Sequence, residues 1–176
     1  MPQLQRLNAD HAPELLRFER ENRAYFVRFI SDRGDDYFAT FASRHAELLA
    51  EQAAGQHHLH LLIDDDGAVL GRFNLVDVAD GTADLGYRLA EHAAGRGLAT
   101  DTVRQICELA RTDYGLHRLY AEADLDNPAS LTVLRRNGFT PIGDVVVVGR
   151  PGIRHARDLA PTTDPSPTRP STSRPT

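Results

Sequence analysis

A glycine-rich turn that leads directly into a long amphipathic helix is the strongest structural signal in this chain. Ala83 to Leu89 alternates as a strand does, Ala93 to Gly97 forms the turn, and the helix runs from about Leu98 to Tyr114. Gly95 and Gly97 permit positive φ and a close approach to the backbone. The first N–H groups of a helix lack partners within it, and the helix dipole adds positive charge there. The unit therefore predicts an anion site, best suited to a phosphate group.

The rest of the pattern predicts a mixed α/β domain built on one central sheet. Two helices follow a short first strand, three strands then form a meander, and the order ends with helix, strand, helix and hairpin. The predicted helices are one capped by Asp10 that runs through Pro13 to Phe18, Tyr37 to Ala53, Leu98 to Tyr114 and Asn127 to Arg136. The predicted strands are Leu4 to Leu7, His58 to Ile63, Val69 to Val76, Ala83 to Leu89 and Leu119 to Leu125, with a last hairpin that includes Val145 to Val148.

Length and composition favour one folded domain, residues 1–159, followed by a tail, residues 160–176. The tail is rich in Pro, Ser and Thr, which cannot bury apolar surface, so we expect it to be disordered. No apolar run approaches the length of a membrane span, and the N-terminal segment lacks the features of a secretion signal. The single cysteine, Cys107, excludes an internal disulfide and suits a reducing cytosol, so a cytoplasmic location is expected.

Charge and residue usage exclude several classes of function. The formal net charge of −5 argues against a general nucleic-acid-binding protein, and the absence of lysine removes the usual Schiff-base amine. His57, His58 and His60 cluster, but no cysteine or carboxylate at standard spacing completes a ligand set, so no metal is expected. Cys107 falls on the apolar stripe of its helix and is expected to be a core residue.

Three separated motifs resemble those of the GNAT superfamily of N-acetyltransferases. His92-Ala93-Ala94-Gly95-Arg96-Gly97 resembles its acetyl-coenzyme A signature, Gln/Arg-x-x-Gly-x-Gly/Ala, with His92 in place of Gln or Arg. Asn127-Pro128-Ala129-Ser130, followed by Asn137-Gly138-Phe139, resembles the branch that acetylates the N-termini of ribosomal proteins. Glu21 to Phe26 looks like the first helix of that branch. The resemblance spans most of the chain and excludes the tail.

The resemblance implies a GNAT-like fold with an acetyl-coenzyme A site. Such a fold has a twisted, mostly antiparallel sheet of about six to seven strands and about four helices. Its fourth and fifth strands splay apart, and the pantetheine arm lies between edges that correspond here to Tyr87–Leu89 and Tyr120–Asp124. The implied cofactor-binding residues are Tyr87, Leu89, His92, Gly95, Arg96, Gly97, Leu98, Ala99 and Asn127.

The resemblance also suggests two catalytic residues. Direct acetyl transfer needs a neutral amine, an acceptor for its proton and a group that protonates the leaving thiolate. Glu122 matches the position where some peptide N-terminal acetyltransferases carry a glutamate base, although a solvent-facing or ion-paired glutamate is the alternative. Ser130 would lie near the coenzyme sulfur, where superfamily members often use Tyr, unless it only packs locally. Asn127 would cap its helix, bond the pantetheine amide, or do both. The Arg135-Arg136 pair either contacts an adenosine phosphate or is a solvated helix end.

The leading interpretation is an acetyl-coenzyme A-dependent N-acetyltransferase whose acceptor is a primary amine, with a protein N-terminus favoured. A small amine such as an amino acid, polyamine or antibiotic is the first alternative. A non-catalytic coenzyme A sensor is the second, because the Tyr acid is missing and His92 departs from the signature. Neither a membrane nor a nucleic acid is expected as a partner, and the sequence does not decide whether the chain forms a homodimer. An acidic rim would favour a basic peptide or polyamine, and its candidate residues are Asp35, Asp36, Asp77 and Asp80.

Overall fold

The computed structural model describes residues 1–160 of the chain. Its strands are β1 (Gln3–Arg6), β2 (His58–Ile63), β3 (Val69–Ala79), β4 (Thr82–Leu89), β5 (Arg118–Asp124), β6 (Thr140–Val147) and β7 (Arg150–Asp158). Its α-helices are α1 (Ala12–Glu21), α2 (Arg23–Phe26), α3 (Asp35–Ala39), α4 (Phe41–Ala53), α5 (Leu98–Thr112) and α6 (Pro128–Arg136), and two short 3₁₀ helices cover Ala9–His11 and Glu91–Ala93.

All strands belong to one sheet with the order β1-β2-β3-β4-β5-β7-β6. Neighbouring strands are antiparallel except β4 and β5, which are parallel. This arrangement confirms the predicted mixed α/β fold and its mostly antiparallel sheet. The described residues contain six α-helices where about four were expected, and α2 and α3 are only 4 and 5 residues long.

The β4–β5 pair holds together at one end only. Three residue pairs join the strands, from Thr82–Arg118 to Asp84–Tyr120. Beyond them, β4 continues to Leu89 against β3, and β5 continues to Asp124 against β7. The two strands therefore diverge while each keeps its outer partner, which confirms the splay expected from the resemblance.

The core lies on both faces of the sheet. The apolar stripe of α5 is buried as its helical period predicted, and it includes Val103, Ile106, Cys107 and Ala110. Phe73 and Leu119, from strands on either side of β4, have no exposed surface. Burying one large apolar side chain contributes about 1.5–3 kcal/mol to stability. Burial also raises the pKa of the Cys107 thiol, so this residue is an uncharged part of the core.

Two details of the helices differ from the sequence-based expectation. Asn8, not Asp10, provides the first cap, because its side-chain oxygen accepts from the backbone N–H of Asp10 at 2.9 Å. The predicted helix from Tyr37 to Ala53 is two helices, α3 and α4, separated at Thr40. The Thr40 hydroxyl donates to the carbonyl of Asp36 at 2.7 Å, and such local bonds compete with helical geometry.

Among residues 1–160, none of the helices combines the length and the hydropathy that a membrane span requires. The predicted disordered tail lies outside the described residues apart from Ala160.

Candidate functional site

A cavity of about 780 Å³ opens where β4 and β5 diverge. Side chains alternate across a strand, so Tyr87 and Arg88 reach the cavity from opposite faces of the sheet. We call the part lined by Gly95, Gly97 and α6 the glycine side. The part lined by Arg33, Arg72 and Arg88 is the arginine side, which also has an aromatic wall of Tyr25, Phe26 and Phe29. One space thus connects the two faces through the middle of the sheet.

The N-terminus of α5 presents free backbone donors on the glycine side. Gly97 is the N-cap, with φ of 76° and no side-chain cap, and Gly95 has φ of 74°. A Cβ at either glycine would meet no heavy atom within 4 Å, so the positive φ is what requires glycine. Within residues 1–160, the amides of Leu98, Ala99 and Thr100 form no hydrogen bond. These free amides and the helix dipole fit an anion, and the anion site that the sequence predicted here stays a prediction.

The structure brings most, but not all, of the predicted site residues to the cavity. Those that line it are Tyr87, Leu89, Gly95, Gly97, Leu98, Ala99, Glu122, Asn127 and Ser130. His92 and Arg96 do not line it, and both are exposed beside the turn. The cofactor roles of these two residues therefore stay predictions without a contact that supports them. Of the Arg135-Arg136 pair, Arg136 lines the cavity and Arg135 does not.

Tyr87 and Ser130 form a hydroxyl pair on the glycine side. The Tyr87 hydroxyl lies 3.0 Å from Oγ of Ser130, and the Tyr87 ring stacks on Phe73. Burial raises the pKa of Tyr87 to about 12, so its hydroxyl keeps its proton at neutral pH. Asn127 fixes the serine, because its side-chain oxygen accepts from the Ser130 backbone N–H at 3.1 Å. Asn127 therefore caps α6, which was one of its two predicted roles. The sequence pattern indicated a role for Tyr87 only as part of the β4 edge and did not reveal this contact of its hydroxyl.

Glu122 lies at the cavity as half of an ion pair. Its carboxylate is 2.7 Å from Nη1 of Arg154, and 41% of its side chain is exposed. Arg154 also contacts Asp84 at 3.0 Å. The ion-paired alternative is therefore the one found in the structure, and a role as a base remains a prediction. Asp124, next along the same face, is buried, lines the cavity and pairs with Arg150 at 2.9 Å.

The arginine side surrounds a buried carboxylate that the sequence did not reveal. Glu19 of α1 is 2% exposed and contacts Arg88 at 2.5 Å, Arg72 at 2.6 Å and Arg33 at 3.6 Å. Burial alone would raise the pKa of Glu19, but the positive charges of these arginines outweigh it and lower the pKa. Burial also lowers the pKa of Arg88 to about 10, which still leaves its guanidinium charged at neutral pH.

The acidic rim suggested by the sequence does not form around this cavity. Its four candidate residues, Asp35, Asp36, Asp77 and Asp80, are absent from the cavity lining. Asp35 instead pairs with Arg23 at 2.8 Å. Asp35 and Asp36 begin α3, Asp77 lies near the end of β3 and Asp80 lies in the turn that follows, so the fold does not bring the four carboxylates together at the cavity.

The histidine cluster lies on another part of the sheet. His58 stacks on Tyr114 with 3.7 Å between ring centroids, and Nε2 of buried His60 lies 2.6 Å from the Tyr114 hydroxyl. Burial lowers the pKa of His60 to about 4, so its imidazole is neutral near pH 7. Among residues 1–160, no group of three His, Cys, Asp or Glu side chains is arranged to hold a metal ion.

Comparison with known proteins gives consistent matches. Residues 3–140 match the acetyltransferase (GNAT) domain family. A probable N-acetyltransferase from Bacillus subtilis, YjcK, is 30% identical over 141 residues, which cover 76% of this chain and 77% of that protein.

Solved structures extend the comparison to the fold. The ribosomal-protein-S5-alanine acetyltransferase from Vibrio fischeri has a TM-score of 0.84 at 17% identity, over 90% of this chain and 93% of that one. A spermidine N-acetyltransferase from Vibrio cholerae, solved with CoA and spermine, has a TM-score of 0.76 at 16% identity, over 90% and 95% of the two chains. The similar folds thus include proteins named for a protein acceptor and for a polyamine acceptor.

Proposed function

The chain belongs to the acetyltransferase (GNAT) family, and on this basis we propose that it transfers an acetyl group from acetyl-coenzyme A to a primary amine. One observation carries the proposal. A single cavity joins the free amides of α5 to the Tyr87–Ser130 pair and, through the divergence of β4 and β5, to Glu122. Donor and acceptor could therefore meet inside the sheet from opposite faces.

The residues on the glycine side fit a coenzyme A donor. The amides of Leu98, Ala99 and Thr100 would hold the diphosphate, and Arg136 on the same lining adds a positive charge. Residues 85–89 of β4 and 121–124 of β5 make no ladder with each other, so their facing backbone groups can bond an extended arm. When bound, acetyl-coenzyme A supplies a thioester whose carbonyl carbon is open to attack by an amine.

The hydroxyl pair would stabilise the leaving sulfur. As the amine nitrogen bonds to the carbonyl carbon, the C–S bond breaks and negative charge develops on sulfur. With the Tyr87 proton retained at neutral pH, the two hydroxyls can share one hydrogen bond and still offer a second hydrogen to that charge. Ser130 is therefore proposed as the hydrogen-bond donor to the thiolate, and Tyr87 as the residue that orients it.

Glu122 is proposed to accept the proton that the attacking amine loses. It lies on the same face of β5 as Asp124, on the side of the sheet opposite to Tyr87, and it lines the shared cavity. Arg154 holds one carboxylate oxygen, which orients the group, and leaves the other oxygen free to accept a hydrogen bond directly or through water.

A protein N-terminus is the proposed acceptor. The arginine side opens to solvent beside an aromatic wall, Tyr25, Phe26 and Phe29, which could pack against the first side chains of a peptide. The fold similarity to an acetyltransferase named for ribosomal protein S5 supports this choice. A small primary amine is the second candidate, supported by the similarity to a spermidine acetyltransferase.

The test combines cofactor binding with turnover. The protein is incubated with acetyl-coenzyme A and a panel of N-terminal peptides, amino acids and polyamines. Free thiol is titrated, and products are identified by mass spectrometry. We expect thiol release that depends on the amine, with one acetyl group on the product nitrogen. Coenzyme A binding without turnover across the panel would identify a sensor, whereas no binding in calorimetry would overturn the proposal altogether.

A further inference from the structure

We propose that the arginine side recognises an anionic group, a carboxylate or a phosphate, on the acceptor close to its amine. The inference rests on the proposed function, because it names the chemistry of the acceptor for the same cavity. It selects acidic peptides or small anionic amines over polyamines and cationic antibiotics. Its basis is an excess of positive charge in a partly buried part of the cavity.

The charges on the arginine side do not balance. Three guanidiniums, those of Arg33, Arg72 and Arg88, surround the single carboxylate of Glu19. Only 6% of the Arg72 side chain and 16% of the Arg88 side chain are exposed, so water compensates these two charges poorly. Four described ionic groups therefore carry two more positive than negative charges, and all three arginines line the cavity.

The other acids of the cavity do not remove this excess. Glu122 and Asp124 also line it, but each already has its own arginine partner, Arg154 and Arg150. Neither of these partner arginines belongs to the cavity lining. An anion that enters on the arginine side would thus meet no unpaired carboxylate that repels it. It would meet a guanidinium cluster whose positive charge is only partly neutralised.

Hydrogen-bond capacity on this side is also incompletely used. The buried Nε atoms of Arg72 and Arg88 have no partner among residues 1–160. Arg33 reaches Glu19 only at 3.6 Å, which is longer than a direct hydrogen bond, and 34% of its side chain is exposed. Its guanidinium lies 4.5 Å from the centroid of the Tyr37 ring, which limits its movement. Arg33 is therefore the arginine best placed to meet an acceptor.

The position of the cluster determines where the anion lies on the acceptor. Arg88 follows Tyr87 directly on β4, and Tyr87 contacts Ser130, where the proposed transfer takes place. The Arg88 guanidinium carbon lies 5.1 Å from the centroid of the Phe26 ring. An acceptor whose amine reaches the thioester between β4 and β5 would keep its neighbouring groups beside these two side chains. The favoured acceptor is therefore an N-terminal peptide with an acidic or phosphorylated side chain in its first positions.

The experiment measures binding and transfer with matched peptides. One peptide series carries Asp, Asn, Lys or phosphoserine at the second position and is otherwise identical. Affinity for the protein is measured by calorimetry with and without coenzyme A, and transfer is measured as kcat/KM with acetyl-coenzyme A. Each measurement is repeated for Arg33→Gln and for Arg20→Gln, an exposed arginine on α1 that does not line the cavity.

We expect the Asp or phosphoserine peptide to bind at least tenfold more tightly than the Asn peptide, and the Lys peptide to bind most weakly. Tighter binding of the Asp peptide would identify the recognised group as a carboxylate, and tighter binding of the phosphoserine peptide would identify it as a phosphate. Arg33→Gln should remove most of this preference without changing coenzyme A affinity, and Arg20→Gln should retain it. Equal binding of the Asp, phosphoserine and Asn peptides, or a preference for Lys, would overturn the inference. A retained binding preference without transfer would count against the proposed function alone.

Discussion

The hydroxyl of Tyr87 lies 3.0 Å from Oγ of Ser130, so a residue of β4 and a residue of α6 meet at the divergence of the central strands. Ser130 alone would be a weak proton donor, and it stands at the position where members of the superfamily often have a tyrosine. The structure supplies a tyrosine from another element. The two hydroxyls are expected to act as one unit.

Ser130→Ala and Tyr87→Phe should each lower kcat about tenfold or more, which corresponds to the loss of a hydrogen bond to a charged group. The dissociation constant of coenzyme A should change little, because the diphosphate contacts lie on α5. The double variant should lose little more than the worse single variant, because each single change already breaks the pair. Ser43→Ala, at an exposed serine of α4, is the control. Additive losses would show that the two hydroxyls act separately.

Gly97→Ala should weaken coenzyme A binding tenfold or more, because a positive φ strains alanine and its Cβ would enter the ligand space. Gly55→Ala is a matched control, since Gly55 has φ of 78° and similarly open surroundings after α4. Both variants should lose about 1 kcal/mol of unfolding free energy. Only the Gly97 variant should lose affinity in calorimetry. Normal affinity there would contradict the diphosphate assignment.

Glu122→Gln should lower kcat at neutral pH by about 100-fold, as expected when a general base is removed, with coenzyme A affinity nearly intact. The change also breaks the ion pair with Arg154. Asp84→Asn controls for this, because it removes the other partner of Arg154 but lies outside the cavity. Steady-state kinetics of both variants separate the roles. Equal, small effects would mean that Glu122 is structural and that the amine loses its proton to solvent.

Glu19→Gln should destabilise the protein by about 3–5 kcal/mol, because it leaves the buried guanidiniums of Arg72 and Arg88 without their counter-charge. Glu21→Gln, two residues away at an exposed ion pair with Arg17, should leave the unfolding free energy nearly unchanged. Denaturant titration measures both. Added sulfate should recover more stability for the Glu19 variant than for the wild-type protein. Similar stabilities of the two variants would contradict the ionic role of Glu19.

Because burial lowers the pKa of His60, we predict that the folded protein loses stability in mild acid. The folded protein keeps its imidazole neutral down to about pH 4, whereas an unfolded chain binds the proton near pH 6.5. The unfolded state therefore binds more protons between these values, so stability falls as the pH falls through this window, by about 2–3 kcal/mol from this group. Denaturant titrations from pH 4 to 7 should show a shallower slope for His60→Gln than for exposed His117→Gln. Parallel slopes would exclude His60 as the source.

The sequence predicted the elements well where signals were local. The Asp65–Gly67 turn, the apolar period of α5 and the glycine turn before it led to β2, β3, β4 and α5 within a few residues. The break at Thr40 was missed, because one threonine inside a helical period does not reveal which hydrogen bond it will form.

The arginine side could not be predicted, because its contacts are remote in sequence. Glu19 is 53 residues from Arg72 and 69 from Arg88, and a glutamate on a helix normally implies a solvated face. One signal was available. Arg72 interrupts the otherwise apolar run Val69–Phe73, where a buried charge requires a partner. The Tyr87–Ser130 contact was hidden for the same reason, since it depends on the angle at which two strands separate.

The three residue pairs between β4 and β5 are the only ladder that joins β1–β4 to β5–β7 in the described sheet. The sheet therefore consists of two segments, β1–β4 and β5–β7, that are hydrogen-bonded to each other at one end only. A molecule that hydrogen-bonds to the facing edges of both β4 and β5 would join the two segments at their open end. Part of its binding free energy would then be spent on holding the segments together. Product release would then require the same coupling to be broken in every catalytic cycle.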